Sequence, residues 1–145
     1  MSLPVLGRHP ALLPLILALL AAGCGASGPR VVKISGTVSR GGKPVDKLMV
    51  NFYPEHGRPS WGSTDAAGHY VLNYEGRGDG AVTGTHKVWV QIRPASPKEE
   101  EDLRAGRLQL HPEIGAILQK YGKYETTPLT VEVKHNGQVL NLDLD

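Results

Sequence analysis

From Val31 onward, apolar and polar residues alternate with a period of two. Successive side chains on a strand point to opposite faces, so this period marks half-buried strands. Across residues 32–38 the even positions are apolar or glycine, while Lys33, Ser35 and Thr37 are polar. Leu48, Val50 and Phe52 alternate with Met49, Asn51 and Tyr53, and Pro54 closes that run. Residues 61–64 make a short strand, and residues 69–74 make another with Tyr70 and Leu72 on one face. Over residues 85–93, His86, Val88, Val90 and Ile92 share one face, and Lys87, Trp89 and Gln91 share the other. Leu129, Val131 and Val133 alternate with Thr130, Glu132 and Lys134, and Leu140, Leu142 and Leu144 point inward in the last run. These seven strands predict an all-β fold, an antiparallel sandwich.

Turn chemistry separates the runs. Gly41-Gly42, the Asp65-Ala-Ala-Gly68 turn and the glycine-rich loop 76–80 all fall between strands. Asn136-Gly137 predicts a hairpin joining the last two strands. Residues 94–128 break the alternation and are long for a loop. Acids precede bases over residues 97–104, as at a helix N-terminus, and residues 114–121 offer a second helical turn. A partly helical crossover is expected there, carrying the chain from one sheet to the other.

The first 23 residues follow a different pattern. Arg8 precedes an apolar run of roughly a dozen residues ending in small side chains, the layout of a secretory signal peptide. The run is shorter than the ~20 residues of a membrane span, and Pro10 and Pro14 disfavour a spanning helix. Residues 24–30 then read as a flexible tether of small residues and proline, and residues 31–145 as the exported domain.

Composition changes the picture little, except at cysteine. Of 145 residues, 40% are hydrophobic and 21% charged, which suits one globular domain. Removing Arg8 with the first segment takes the 16 basic residues to 15, against 14 acidic ones. Such a balance creates no field to gather nucleic acid, which is not expected as a partner. The single cysteine, Cys24, excludes an intrachain disulfide and a multi-cysteine zinc cluster.

The junction Leu20-Ala21-Ala22-Gly23-Cys24 resembles the bacterial lipobox. Three residues before the cysteine the lipobox more often has leucine, and here that residue is Ala21. The resemblance implies cleavage before Cys24 and acylation of its thiol by chains such as palmitate. Two or more chains make a stable anchor, at about 0.8 kcal/mol per buried methylene. Gly25 stands where an aspartate retains such lipoproteins at the inner membrane. The resemblance therefore points to the outer membrane, facing the periplasm or the cell surface.

The domain also carries a family pattern. Gly36-Thr-Val with Gly42-Lys-Pro-Val45, then Val50-Asn-Phe-Tyr-Pro54, Thr64-Asp-Ala-Ala-Gly-His-Tyr70 and Gly80-Ala-Val-Thr-Gly-Thr-His-Lys-Val88 follow one another in order. This ordering resembles short bacterial lipoproteins with a carboxypeptidase-regulatory-like, or transthyretin-like, domain. The resemblance implies a seven-stranded Greek-key β-sandwich, transthyretin-like or immunoglobulin-like. Its motifs concern turns and strands and speak to fold rather than activity.

Candidate chemistry is sparse. Asp65 reads as a turn cap, since Ala67 removes the oxygen that a calcium loop would place there. Arg77-Gly78-Asp79 reads as part of a glycine loop. The six histidines show no metal-binding spacing. Lys33 and Asn141 are the obvious pair for an isopeptide bond, but alternation places Lys33 away from the core. No G-x-S-x-G elbow is present. No enzyme activity, metal or cofactor is expected. Trp61, Trp89, Tyr53 and Tyr74 remain as a possible ligand-stacking surface.

The reading is a membrane-anchored, non-enzymatic envelope lipoprotein with a structural or partner-binding sandwich. The partners are membrane lipid, through acylated Cys24, and an envelope protein or glycan. The alternative is a carbohydrate-binding module that uses the exposed aromatics. A metal enzyme using His69, His86 and His111 ranks last.

Metabolic labelling with a fatty-acid probe checks the anchor. The wild-type chain takes up label and Cys24→Ala does not; label persisting in the variant would exclude lipidation at this residue.

Overall fold

A computed structural model describes residues 29–75 and 77–145. The expected signal peptide, Cys24 and most of the expected tether lie outside the described residues. The chain runs through β1 (Val31–Val32), β2 (Ile34–Arg40), β3 (Lys43–Pro44), β4 (Leu48–Pro54) and β5 (Ser60–Ser63). It continues through β6 (His69–Val71), β7 (Asn73–Tyr74), β8 (Gly78–Asp79), β9 (Ala81–Val82) and β10 (Gly84–Ile92). Two helices follow, α1 (Pro97–Arg104) and α2 (Pro112–Tyr121). Then come β11 (Thr130–Val133), β12 (Gln138–Val139) and β13 (Leu142–Asp143). Among the described residues no helix is long and apolar enough to cross a membrane. The all-β expectation holds, with strands dominating and two short helices within the excursion expected to be partly helical.

The larger sheet has six strands in the order β11-β10-β4-β5-β7-β8, and every pair in it is antiparallel. The second sheet is built on β2. Ser35 pairs with Val71 of β6 on one edge and with Val139 of β12 on the other. β3 extends the β6 edge, and β13 extends the β12 edge. A short antiparallel ribbon joins β1 to β9. Inward residues of both sheets form one hydrophobic core, from Ile34, Val38 and Leu142 to Val50, Phe52, Val88 and Val90. Period-two alternation placed nearly all of these correctly.

Four features differ from the expectation. First, β12 and β13 run parallel to β2, not antiparallel. Side chains of the last segment clamp them there. Asn136, Asn141 and Asp145 accept hydrogen bonds from the backbone N–H of Lys33, Thr37 and Gly41, at 2.9, 3.0 and 2.9 Å. Second, Asn136-Gly137 does not close a hairpin. The Gly137 N–H donates to the Lys33 carbonyl at 2.9 Å, so the turn carries the chain from β11 to the other sheet. Third, the excursion through α1 and α2 returns to the sheet it left, because β11 pairs with β10. Fourth, residues 69–74 split between sheets. Leu72 donates its N–H to the Ile34 carbonyl (3.0 Å) and accepts at its own carbonyl from Gly80 (2.7 Å), so the strand bends there.

One contact ties the two sides of the second sheet together across β2. The Tyr70 hydroxyl donates to the Leu140 carbonyl at 2.5 Å, passing over Gly36. A β-carbon at Gly36 would stand 1.9 Å from the Leu140 oxygen and 2.9 Å from the Tyr70 hydroxyl. Only glycine fits there. The helices sit at the periphery. α1 buries no residue and is held by its Ser96 cap and by ion pairs such as Lys98–Asp102 at 2.6 Å. α2 inserts Ile117 and Tyr121 into the core, and the Tyr121 hydroxyl donates to the Asp145 carbonyl at 2.7 Å.

Gly36→Ala should therefore lower unfolding stability by about 3 kcal/mol, since the added carbon meets backbone rather than a yielding side chain. A urea midpoint equal to that of the wild type would contradict this packing.

Candidate functional site

Trp61, Tyr53 and Tyr124 expose 43%, 44% and 42% of their surface. Strand register brings two of them to one place. On the outer face of the larger sheet, Trp89 pairs with Asn51, Asn51 with Trp61, Trp61 with Asn73, and Asn73 with Asp79. One row of side chains thus crosses β10, β4, β5, β7 and β8. The next row is Gln91, Met49 and Ser63. On the other side Lys87 pairs with Tyr53. Tyr124, from the loop after α2, leans on Tyr53 with ring centroids 5.1 Å apart.

The strands make this face continuous. β4 and β10 pair over seven residues, so positions of one parity line up without a break. The charged groups lie at its margins. The Lys87 ammonium sits 4.9 Å over the Tyr124 ring and donates to the Glu125 carbonyl at 3.2 Å. Such a cation is already engaged with its own loop. Tyr53, Lys87 and Tyr124 border a shallow recess of about 260 Å³. Another recess of about 250 Å³ lies beneath the helical excursion, floored by Leu48, Ile92 and Ile114. Asp46, Lys47, Arg93 and Glu99 balance in charge around it, and it is smaller than the roughly 300–1,000 Å³ of ligand pockets.

The structure sorts the four predicted aromatics. Tyr53 and Trp61 are exposed on the outer face. Trp89 shares that face but is half-buried, and its indole nitrogen is enclosed with no hydrogen-bond partner among the described residues. Tyr74 does not belong to the surface. It has the parity of Tyr70 and Leu72, lies 2% exposed, and accepts a hydrogen bond from the Arg58 N–H at 3.3 Å. Tyr124, Asn51 and Asn73 were missed. The two asparagines were legible as outward positions, but only the register puts them beside tryptophan. Tyr124 comes from a loop and left no periodic signal.

The other singled-out residues find local roles. The Asp65 carboxylate accepts from the N–H groups of Ala67 and His69, both at 2.9 Å, and so caps its turn. Gly78-Asp79, read as loop, pairs with β7 as an edge strand. Lys33 is exposed, and the Asn141 side-chain oxygen is occupied by the Thr37 N–H. His69 and His111 are exposed and each lies 3.9 Å from one carboxylate, of Asp65 and Glu113. Among the described residues no cluster of three or more His, Cys, Asp or Glu side chains is arranged to hold a metal.

His86 is fully buried against the Phe52 ring, with centroids 5.9 Å apart. Its Nε2 lies 2.8 Å from the Val82 carbonyl, so the proton sits on Nε2 and ties β9 to β10. Nδ1 has no partner among the described residues. Burial holds the imidazole below the ordinary histidine range. The backbone hydrogen bonds of Val82 and Phe52 and the Glu132 charge pull upward less strongly. Compared with known proteins, the chain matches no family model, no curated protein and no solved structure.

Since the unfolded chain protonates His86 near the ordinary value of about 6.5 and the folded chain resists, acid favours unfolding. Stability contributed by neutral His86 is complete above that pH and declines as the pH falls through and below it. Urea midpoints measured across this range should decline less steeply in His86→Leu than in the wild type; equal slopes would remove His86 as the cause.

Proposed function

We propose that this chain is a lipid-anchored, non-enzymatic envelope protein that binds a partner through the outer face of its larger sheet. The observation that carries this reading is the row Trp89–Asn51–Trp61–Asn73, with Trp61 and Tyr53 left open to solvent. Exposing two large aromatics on one face loses burial that an ordinary surface would keep, which is the signature of a contact surface. The anchor rests on the lipobox-like junction at Cys24. β1 begins seven residues after that cysteine and is held by the β9 ribbon, so a short tether would keep the domain near the membrane.

The finer architecture in this reading is a transthyretin-like Greek-key sandwich. Counting β1 with β2, β6 with β7 and β12 with β13, and setting aside the two-residue strands β3, β8 and β9, leaves seven principal runs. The non-enzymatic reading draws support from His86, whose buried ring serves backbone rather than a cleft.

A second reading narrows the partner to carbohydrate. The amides of Asn51 and Asn73 flank the Trp61 indole, and saccharides combine apolar faces with hydroxyl edges that amides can meet.

A photo-crosslinking residue placed at position 61 tests the surface in the intact envelope. Adducts should form there and not at Val71, which is 57% exposed on the other sheet. Adducts at neither position, or equally at both, would dismiss the face as a specific contact.

A further inference from the structure

We infer that the outer face takes an uncharged oligosaccharide lying across the strands, along the row from Trp89 to Asn73. This rests on the carbohydrate reading and adds charge class, direction and extent. Direction follows from register. Trp89, Asn51, Trp61 and Asn73 lie opposite one another on four neighbouring strands, so the line of stacking and hydrogen-bonding groups runs perpendicular to the strands. Three strand spacings make that line about 14 Å long.

The class of ligand follows from what borders the row. From Trp89 to Asn73 its members, and those of the next row, Gln91, Met49 and Ser63, are all uncharged. At the β8 end the row terminates in Asp79, an exposed carboxylate paired with Asn73. On the Tyr53 side the nearest cation, Lys87, is engaged by the Tyr124 ring and the Glu125 carbonyl. A polyanionic chain laid on the row would meet the Asp79 carboxylate at its end. A neutral chain meets an indole for its apolar face, and the Asn73 amide and the Asn51 amide oxygen for its hydroxyls, the Asn51 nitrogen being turned to the Met49 and Trp89 carbonyls. Trp89 serves differently from Trp61. It is half-buried with its nitrogen enclosed, so Trp61 offers the open ring of the row.

Calorimetric titration of the full exported chain checks this with two to six residue malto-, cello- and chito-oligosaccharides, and with oligogalacturonate as the anionic probe. At least one neutral series should bind, gaining affinity with length until the ~14 Å row is covered. That affinity should not change as salt is raised. Trp61→Ala should weaken it roughly tenfold, about the weight of one stacking contact, and Trp61→Phe should weaken it less. Circular dichroism of each variant separates lost binding from lost folding. Binding of oligogalacturonate in preference to every neutral series, or affinity that falls with salt, overturns the uncharged ligand while leaving a glycan-binding face. Binding of a neutral series that Trp61→Ala leaves intact overturns the location. Absence of binding to all four probes overturns the carbohydrate reading together with this inference.

Discussion

The hydroxyl of Tyr70 reaches across Gly36 to the Leu140 carbonyl, and much of the structure depends on that one hydrogen bond. It links β6, β2 and the segment between β12 and β13, which are remote in sequence. Burial raises the pKa of the phenol, so it stays a donor at any physiological pH. The bond is possible only because Gly36 has no side chain to occupy the space between the partners. Beside it, the parallel pairing of β12 and β13 breaks, and Asn141 fills the gap by accepting from Thr37. A backbone N–H left without a partner would otherwise cost about 1–3 kcal/mol where it is sheltered from water.

This closure explains why one sheet face remains open. The β2 sheet covers the inner side of the larger sheet with Ile34, Val38, Tyr70 and Leu142. On the outer side Tyr124 leans on Tyr53, while Tyr53 and Trp61 stay exposed. The bend at Leu72 matters equally. It delivers Tyr70 to one sheet and Asn73 to the other within four residues, so the same short segment secures the core and completes the row beside Trp61. The site is therefore a consequence of how the chain changes sheets, rather than of a specialised loop.

The helical excursion has a limited part. β11 pairs with the first half of β10, up to Lys87. Past that point the Thr127 hydroxyl donates to the Val88 carbonyl at 2.7 Å, and α2 packs Ile117 and Tyr121 into the core. α1 buries nothing and rests on its capping and its ion pairs. Surface pairs of this kind contribute only about 0.2–1 kcal/mol each. α1 is thus the element least committed to the fold.

By itself the sequence determined the strand class, the inward residues and both helices. A period of two needs no partner to be read, since it follows from the geometry of a single strand, and Ser96 and Pro97 declare a helix start locally. Parity, a local property, puts Tyr74 with Tyr70 and Leu72, so grouping it with the exposed aromatics overlooked a signal that the sequence carries. Only the tertiary structure decided which strands meet. Asn136-Gly137 has the local chemistry of a hairpin turn, yet backbone hydrogen bonds to Lys33 drew it to another sheet. The parallel direction of β12 and β13 depended on side-chain acceptors matching donors about 104 residues away. The row from Trp89 to Asn73 likewise required three registers to agree. Register is set by long-range pairing and core packing, and no local pattern along the chain encodes it.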